Sequence, residues 1–351
     1  MPVERARLGK TGIEVLRLGF GGIPIQSLSE DDAVVVVRYV LAQGMDFVDT
    51  ARGYTNSEGR IGRAIAGRKD RPVISSKSPV RSSDGILEQL EISLRTLGVE
   101  RIDIYNTHAV NSHQQYETVM GPGGAYEGLQ RARDRGLIGH IGISSHNLEV
   151  LERALEEGHF ETVMVCYSFL EPEAEERVIP LARQTEVGII AMKPLSGGVI
   201  ENGTLALKYV FSCPDIVVIP GLHTIEQARE NWEAFAGDWT YTPQEWAQVE
   251  ALREEFSDQF CRRCDYCQPC PENIPIQVVL AVRRILKNFG DTAFEREWFV
   301  NALSAARNCS ECGECETRCP YELPIREMIK ENLVCYTAQA NARGSALRPQ
   351  A

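Results

Sequence analysis

The sequence predicts an α/β protein: a closed (β/α)8 TIM barrel over residues 1–255, followed by a smaller, mostly helical domain over residues 256–351. The length of 351 residues exceeds the roughly 250 that such a barrel needs. Up to about residue 235, short apolar runs alternate with amphipathic stretches of helical length. Nine of the 11 cysteines lie between Cys261 and Cys335, which marks the C-terminal part as a domain of a different kind.

Eight short apolar runs are the predicted barrel strands. They cover residues 15–19, 47–50, 73–77, 102–107, 138–144, 162–167, 188–193 and 216–221. Strands that alternate with helices form a parallel sheet, which is either a closed barrel or an open doubly wound sheet. The open sheet would be favoured by a G-x-G-x-x-G fingerprint after the first strand, and the run Gly19-Phe20-Gly21-Gly22 lacks that spacing. The closed barrel is therefore the prediction.

Amphipathic stretches between these runs are the predicted helices. The apolar residues Ile86, Leu90, Leu94 and Leu97 recur at spacings of three and four, which predicts a helix over 82–97. A helix beginning at Glu30 carries its apolar residues in the same way. Further helices are predicted over 148–155, 173–184 and 224–232. We expect left-handed backbone just past helix ends at four glycines: Gly44, Gly98, Gly136 and Gly188.

Charge and hydropathy exclude several classes of function. The 37 basic and 49 acidic residues give a net charge of −12, which argues against nucleic acid or an anionic membrane as the main partner. The N-terminal residues MPVERARLGKTG lack the apolar core of a signal peptide, and no apolar run is long enough to span a bilayer. We therefore expect a cytoplasmic protein.

Three neighbouring predicted strands end in residues that can do chemistry. Asp49, Lys77 and His108 lie at these strand ends, and Tyr54 follows in the loop after the second strand. Functional groups of such a barrel lie at the carboxyl ends of its strands. A nearby ammonium lowers the pKa of a tyrosine, and a carboxylate holds that ammonium in place. Taken singly, Asp49 could be a helix cap, Lys77 a solvated strand end and His108 a core residue. All four residues together at the ends of consecutive strands predict a proton donor that faces a carbonyl group.

The same residues carry a resemblance to a known family. The segment FVDTARGYTNSEGRIGRAI resembles the signature of the aldo/keto reductase family, and RLGKTGIEVLRLGFGG, ISSK and IDIYNTH match it in order and spacing. The resemblance covers most of residues 7–235. It implies a catalytic tetrad of Asp49, Tyr54, Lys77 and His108, and NADPH or NADH lying across the barrel mouth. The implied reaction is reduction of a small aldehyde or ketone to an alcohol.

Further cofactor contacts follow from the resemblance. The segment IPGLHTIEQARENW is similar to the family's site for the adenosine phosphate, and Gln227 stands where many relatives have an arginine, which leaves NADPH and NADH both open. Met192 and Lys193 replace an aromatic residue and a serine, and Met164 replaces a glutamine. Lys193 adds a cation for cofactor phosphates or a substrate carboxylate, or is a solvated lysine. The implied cofactor-binding residues are Gly22, Ser144, Ser145, Met192, Lys193, Gly221, His223, Gln227, Glu230 and Asn231.

Two cysteine motifs occupy the C-terminal domain. The motif Cys309-x2-Cys312-x2-Cys315-x3-Cys319-Pro320 fits the bacterial ferredoxin pattern. The motif Cys261-x2-Cys264-x2-Cys267-x2-Cys270-Pro271 is one residue shorter before its last cysteine. We expect a helical ferredoxin-like domain with two 4Fe-4S clusters. Zinc is the alternative, but zinc sites favour two separated cysteine pairs.

The ligand sets follow from a rule of two-cluster ferredoxins. In those proteins the fourth cysteine of each motif binds the other cluster. One predicted set is Cys261, Cys264, Cys267 and Cys319, and the other is Cys309, Cys312, Cys315 and Cys270. Cys166, Cys213 and Cys335 lie outside both motifs and are expected to be ordinary buried residues.

Three hypotheses on function remain open at this point. The first is an NAD(P)H-dependent carbonyl reductase whose clusters are structural, sensory or connected to a partner. The second is an electron-transfer component whose clusters exchange electrons with a ferredoxin-like redox partner protein. The third is a non-catalytic sensor that binds nucleotide and reports redox state. The complete tetrad counts against the third, because a binding module does not need Tyr54 and Lys77 together.

Overall fold

The computed structural model describes residues 4–342. The chain divides into two compact units, the first ending at Val249 and the second beginning at Glu250. This division lies within a helix, Pro243–Glu255, and the predicted domain boundary between residues 255 and 256 lies at the end of the same helix. Each unit is therefore described by itself.

The first unit contains a parallel barrel. Among the described residues its strands are β3 Phe20–Gly21, β4 Phe47–Asp49, β5 Val73–Ser78, β6 Ile102–Thr107, β7 Ile138–Ser145, β8 Thr162–Cys166, β9 Gly188–Met192 and β10 Ile216–Ile219. Each strand pairs with the next in parallel. Parallel bridges from Leu18 to Val218 and from Gly21 to Gly221 join the two edges. The sheet is thus closed, and the predicted TIM barrel is confirmed.

The first predicted strand, over residues 15–19, is partly wrong. Val15 and Leu16 belong to an antiparallel hairpin of β1 Arg5–Arg7 and β2 Glu14–Leu16, whereas Leu18 is bridged in parallel to Val218 and the barrel strand β3 follows at Phe20. Ala6, Leu8 and Val15 pack into one apolar cluster with residues of the barrel interior. An apolar run is expected both in a hairpin that covers the barrel core and in a barrel strand. The hydrophobic pattern of residues 15–19 therefore could not distinguish between these two elements.

Helices follow the strands, as predicted. They are α1 Glu30–Ala42, α2 Ser57–Ile65, α3 Ser83–Leu97, α4 His113–Met120, α5 Ala125–Asp134, α6 Leu148–Glu157, α7 Val178–Gln184, α8 Gly203–Ser212, α9 Ile225–Ala236 and α10 Pro243–Glu255. The predicted helix over 173–184 is instead a short 3-10 turn, Glu173–Glu175, followed by α7. Pro180 explains the break, because its ring would clash with the carbonyl of residue 176 in a continuous helix.

Three of the four glycines after helix ends have left-handed backbone, with φ of 96° at Gly44, 68° at Gly98 and 73° at Gly136. Gly188 does not, and the expectation there is wrong. It is the first residue of β9, where a Cβ would lie 2.8 Å from the Cβ of Leu8. Close packing of the hairpin against the barrel, rather than a helix end, requires glycine at this position.

The second unit is helical in the region the structure describes. Its helices are α11 Ile276–Val279, α12 Val282–Phe289, α13 Glu297–Ala306, α14 Glu314–Thr317 and α15 Ile325–Ala342. Its core combines aliphatic residues of these helices with Phe299 and Tyr336, and Cys267 is part of it. The sequence between the two cysteine motifs contains α11, α12 and α13.

Membrane-spanning helices are not found within residues 4–342: none of the helices there is both long and apolar enough.

Candidate active site and cysteine-lined cavities

The structure brings the four tetrad residues to one end of the barrel. Asp49 is the last residue of β4, Lys77 lies in β5, and His108 follows β6 directly. The strand register pairs Asp49 with Ser75 and Lys77 with Asn106. The carboxyl ends of three adjacent strands therefore present these side chains together, and the loop before α2 adds Tyr54.

Asp49 and Lys77 form a buried ion pair. The Lys77 Nζ lies 2.5 Å from Asp49 Oδ2 and donates a second hydrogen bond of 2.8 Å to the Thr50 carbonyl. Ser75 donates to Asp49 Oδ1 at 2.9 Å. Burial alone would lower the pKa of Lys77, but the attraction of Asp49 and Tyr54 outweighs it and raises that pKa. Lys77 is therefore held as a fixed positive charge.

Tyr54 lies against this ion pair. The Lys77 Nζ is 5.0 Å from the centre of the Tyr54 ring, and the His108 ring meets the Tyr54 ring edge-on at 5.8 Å. Burial raises the pKa of Tyr54, whereas the positive charge of Lys77 lowers it by a smaller amount. The expected pull of the ammonium is present, but the net direction is upward because burial outweighs it. The hydroxyl therefore keeps its proton at neutral pH.

His108 is a neutral imidazole. Burial lowers its pKa well below the usual 6.5, and the positive charges of Lys77, Arg81 and Lys193 lower it further. Arg81 also holds the backbone at this point, donating to the His108 carbonyl at 2.9 Å and to the Ala109 carbonyl at 2.8 Å. A neutral ring can donate one hydrogen bond to a bound oxygen and accept another.

A charged pair that sequence reasoning missed supports the Tyr54 loop. Glu58, in the first turn of α2, is 1% exposed, and its two oxygens accept from Arg52 at 2.6 Å and from Ser76 at 2.7 Å. The Arg52 amide donates to the Lys77 carbonyl at 3.0 Å. The loop from 51 to 57 is thereby fastened to β5 at both ends. The sequence signal for this ion pair was an arginine and a glutamate, six residues apart, on either side of Tyr54.

A second group missed by the sequence reasoning lies where β6, β7 and β9 end. Asn111 Oδ1 accepts from the His146 amide at 2.9 Å and lies 3.3 Å from His146 Nδ1. The His146 Nε2 contacts the Lys193 ammonium. Lys193 has left-handed backbone, with φ of 58°. The side chain of Asn111 therefore orients the His146 ring, and the ammonium of Lys193 contacts that ring.

The predicted cofactor contacts are distributed around the same end of the barrel. Ser144 Oγ accepts from the Ala109 amide at 2.9 Å, and Ser145 Oγ donates to the Asn147 carbonyl at 3.1 Å, so both hydroxyls take part in loop hydrogen bonds. Met192 ends β9 and Lys193 follows it. Met164, in contrast, is buried in the apolar interior of the barrel.

The segment predicted to bind the adenosine phosphate follows β10, where the two edges of the barrel sheet meet. Gly221 is bridged to Gly21, and the amide of Gly22 donates to the Asp49 carbonyl at 2.8 Å. A Cβ on Gly22 would lie 2.8 Å from that carbonyl oxygen, so glycine is required there. The first turn of α9 follows, with Thr224 as its cap and the Gln227 side chain accepting from the His223 amide at 2.9 Å. Asn231 is buried and Glu230 is exposed.

The eight motif cysteines of the second unit surround two cavities. Cys261, Cys264, Cys267 and Cys319 line one of them. Cys270, Cys309, Cys312 and Cys315 line the other. None of the eight forms a disulfide. Among the described residues no group of three His, Cys, Asp or Glu side chains converges closely enough to hold a single metal ion. Thiols spread around a cavity fit a cluster, whose irons lie between them.

The grouping of these thiols departs from the order of the motifs. The last cysteine of each motif lines the cavity of the other motif, as the two-cluster ferredoxin rule expects. The surroundings also differ: Cys267 is buried in the apolar core, whereas Cys312 is exposed. The cysteines that line the second cavity therefore include one that is exposed, Cys312.

Comparisons with known proteins agree with both halves of this description. Residues 17–204 match the family model of the aldo/keto reductases, and residues 260–324 match the model of a 4Fe-4S dicluster domain. The sequence is 28% identical over 225 residues to "Probable aldo-keto reductase 1" of Glycine max. That match covers 57% of this chain and 63% of the soybean protein, so the chain spans less than two thirds of this relative.

Solved structures share the barrel. The holo form of an aldo-keto reductase from Bacillus halodurans superposes with a TM-score of 0.61 at 23% identity, over 71% of this chain and 96% of that one. An aldo-keto reductase from Klebsiella pneumoniae in complex with NADPH gives a TM-score of 0.59 at 22% identity, over 72% and 96%. At this identity the likeness concerns the fold. With the family model matching more than half of its length, the chain belongs to the aldo/keto reductase family of oxidoreductases and carries a C-terminal 4Fe-4S domain.

Proposed function

We propose that the barrel reduces an aldehyde or ketone to an alcohol with NADPH or NADH, and that Tyr54 is the proton donor. The observation that carries the proposal is the convergence of Tyr54, His108 and the Asp49–Lys77 ion pair at the carboxyl end of the barrel. When bound, the reduced nicotinamide supplies a hydride to the carbonyl carbon. The oxygen then needs one proton to complete the alcohol.

Each member of the tetrad has a separate task in supplying that proton. The raised pKa of Tyr54 keeps its hydroxyl protonated until the carbonyl oxygen gains negative charge. Lys77 stabilises the tyrosinate that is left, and Asp49 holds Lys77 charged and in position. His108, being neutral, donates a hydrogen bond to the same oxygen without adding a charge.

The residues that would hold the nucleotide are those around the barrel mouth. The first turn of α9 offers amides for a phosphate, and Gly22 and Gly221, which lie at the barrel closure before it, are proposed as backbone contacts. We propose Ser144, Ser145, Met192, Lys193, His223, Gln227, Glu230 and Asn231 as the further contacts. The complex of the Klebsiella relative with NADPH supports a nicotinamide cofactor. Because Gln227 stands where many relatives have an arginine, both NADPH and NADH remain candidates, and binding measurements with each would distinguish them.

For the second unit we propose two 4Fe-4S clusters that exchange single electrons with a redox partner protein. The two four-cysteine cavities support the clusters, and the exposed Cys312 supports exchange with a partner. One cluster would be held by Cys261, Cys264, Cys267 and Cys319, and the other by Cys270, Cys309, Cys312 and Cys315. Iron and acid-labile sulfide counts on anaerobically purified protein test the number of clusters.

Replacing Tyr54 by phenylalanine tests the barrel proposal. Tyr54→Phe removes the proton donor and keeps the ring, so carbonyl reduction should fall at least about a hundredfold, the lower range for a positioned general acid. The measurement is oxidation of NADPH or NADH with a panel of aldehydes, alongside the visible spectrum of the clusters, which should not change. Tyr39→Phe, on the outer helix α1, is the matched control. Activity retained in Tyr54→Phe would contradict the proposal.

A further inference from the structure

We propose that the ion pair of Arg52 and Glu58 positions Tyr54, and that the rate of reduction depends on this pair through the placement of the Tyr54 hydroxyl. This inference rests on the proposed carbonyl reduction and adds two positioning residues to the four residues of the tetrad. The pair acts through residues 51–57, the Tyr54 loop, which lies between β4 and α2.

Both carboxylate oxygens of Glu58 have partners inside the protein. Its side chain is 1% exposed, and the oxygens accept from the Arg52 guanidinium at 2.6 Å and from the Ser76 hydroxyl at 2.7 Å. The Arg52 Nε donates in turn to Gln89 of α3 at 3.3 Å. A buried ion pair adds little to stability on its own, because the loss of hydration of two charges offsets much of their attraction. What such a pair can supply is a fixed geometry of the segments that it joins.

The ion pair is attached to the strand that carries Lys77. Side chains alternate along β5, so Ser76 and Lys77 point to opposite faces of the strand. On one face Lys77 donates to Asp49, and on the other Ser76 donates to Glu58. The Arg52 amide also donates to the Lys77 carbonyl at 3.0 Å. The same short piece of β5 therefore holds the tetrad on one face and the ion pair on the other.

The loop between the two charges contains a strained residue. Thr55, which follows Tyr54, has left-handed backbone with φ of 44°. This conformation is rare for a β-branched residue, and it persists only where the surrounding contacts hold it. The hydrogen bond from the Thr55 hydroxyl to Gln26 is exposed, so water competes for it. The buried pair of Arg52 and Glu58 encloses the strained turn on both sides and therefore holds it, and Tyr54 with it, against β5.

A loop held in this way fixes the distance over which the proton moves. The donor and the carbonyl oxygen must lie within hydrogen-bond reach, and a displacement of about 1 Å can lower a rate about a hundredfold. Without the charge of Glu58, the guanidinium of Arg52 would lose its counter-charge and turn toward water. The loop would then relax, and the Tyr54 hydroxyl would move relative to Lys77. Binding of the nucleotide should not change, because most of its proposed contacts follow β7 and β10.

Replacing Glu58 by glutamine tests the inference, because it keeps the shape of the side chain and removes the charge. Glu58→Gln should lower kcat with an aldehyde about tenfold to a hundredfold and leave the Kd of NADPH unchanged. Amide hydrogen exchange in residues 51–57 should become faster. Asp103→Asn is the matched control, since it removes the charge from the ion pair with Arg71 at the opposite ends of the strands. It should change neither kcat nor exchange in the Tyr54 loop.

A second background separates positioning from general damage to the fold. In Tyr54→Phe, Glu58→Gln should lower the residual kcat little further, because the hydroxyl that the pair positions is already absent. An equal decrease in both backgrounds overturns the inference, and so does unchanged exchange of residues 51–57 in Glu58→Gln. If Glu58→Gln does not fold, Ser76→Ala, which removes one hydrogen bond and no charge, takes its place in the same measurements. Failure of the proposed function appears separately, as no reduction of aldehydes by the wild type, and the exchange of residues 51–57 then decides on the ion pair.

Discussion

At the scale of single residues, burial and neighbouring charges together set the protonation states of Tyr54, Lys77 and Asp49 at the barrel mouth. A buried ammonium is tolerated only with a close counter-charge, and the 2.5 Å pair with Asp49 provides it. Burial raises the pKa of Tyr54, so its side chain is a protonated hydroxyl and not a tyrosinate at neutral pH. In the proposed reaction the ammonium would stabilise the tyrosinate once the proton has been transferred.

The pH dependence of turnover follows from these directions. His108 becomes charged only well below pH 6.5, and Tyr54 loses its proton only above its ordinary pKa of 10.0. Both shifts widen the range in which the ring is neutral and the hydroxyl protonated. We therefore expect kcat to be flat from pH 6.5 to 10.0. A decline that begins near neutral pH in a kcat profile would show that Tyr54 or His108 titrates there.

Some residues of the site could be read from the sequence because strand ends are local features. An apolar run that ends in Asp49 or Lys77 places the side chain at the barrel mouth once the fold is known. Arg81, Asn111 and Glu58 could not be read in this way. Their partners, His108, His146 and Ser76, are distant in sequence and meet them only through loop conformations that no periodicity encodes.

At the scale of elements, the ends of the parallel strands from β4 to β10 agree with those of the apolar runs to within two residues, while the first strand and one helix differ. The run at 15–19 contributes to a hairpin because β1 offers it a partner along the chain. The helix at 173–184 is shortened by one proline. In each case the hydrophobic pattern was read correctly, and the choice between two elements that share it depended on packing.

The cysteine motifs make a prediction at the same scale. Because the last cysteine of each motif lines the other cavity, Cys319→Ser should affect the same cluster as Cys264→Ser, and Cys270→Ser the same cluster as Cys312→Ser. Electron paramagnetic resonance of the reduced variants, with iron counts, shows which signal each one loses. Cys335→Ser lies outside both sets and should keep both signals. Spectra in which Cys319→Ser resembles Cys312→Ser would mean that each motif binds its own cluster.

At the scale of the whole molecule, the two units differ in what holds them together. The barrel has a closed sheet and an apolar interior of its own. Apart from α15, the helices α11 to α14 of the second unit have at most 10 residues, and six of its motif cysteines pack in or against its core: Cys261, Cys267, Cys270, Cys309, Cys315 and Cys319. Its fold should therefore depend on what the cysteines bind.

Removal of the clusters should unfold the second unit and spare the barrel. After oxidation and chelation of the iron, hydrogen exchange should increase strongly in α12, α13 and α15. Exchange in β6 and β7, which belong to the barrel, should not change. Protection of the helices that persists in the iron-free protein would show that the apolar core alone is sufficient.

The two units also imply two kinds of electron chemistry. Hydride transfer moves two electrons at once, whereas each cluster accepts one electron at a time. Reduction of a carbonyl by the barrel needs no electron from a cluster. We therefore propose that the barrel completes its reaction by direct hydride transfer, with the proton coming from Tyr54.

The most direct test follows an isotope through the reaction. NADPH deuterated at the transferred position is supplied to the anaerobic, cluster-containing protein with an aldehyde, and the alcohol is examined by mass spectrometry and NMR. Direct hydride transfer predicts one deuterium on the carbinol carbon, on one face, with the clusters unchanged in oxidation state. Alcohol without deuterium, formed while the clusters cycle between oxidised and reduced states, would contradict direct hydride transfer by the barrel.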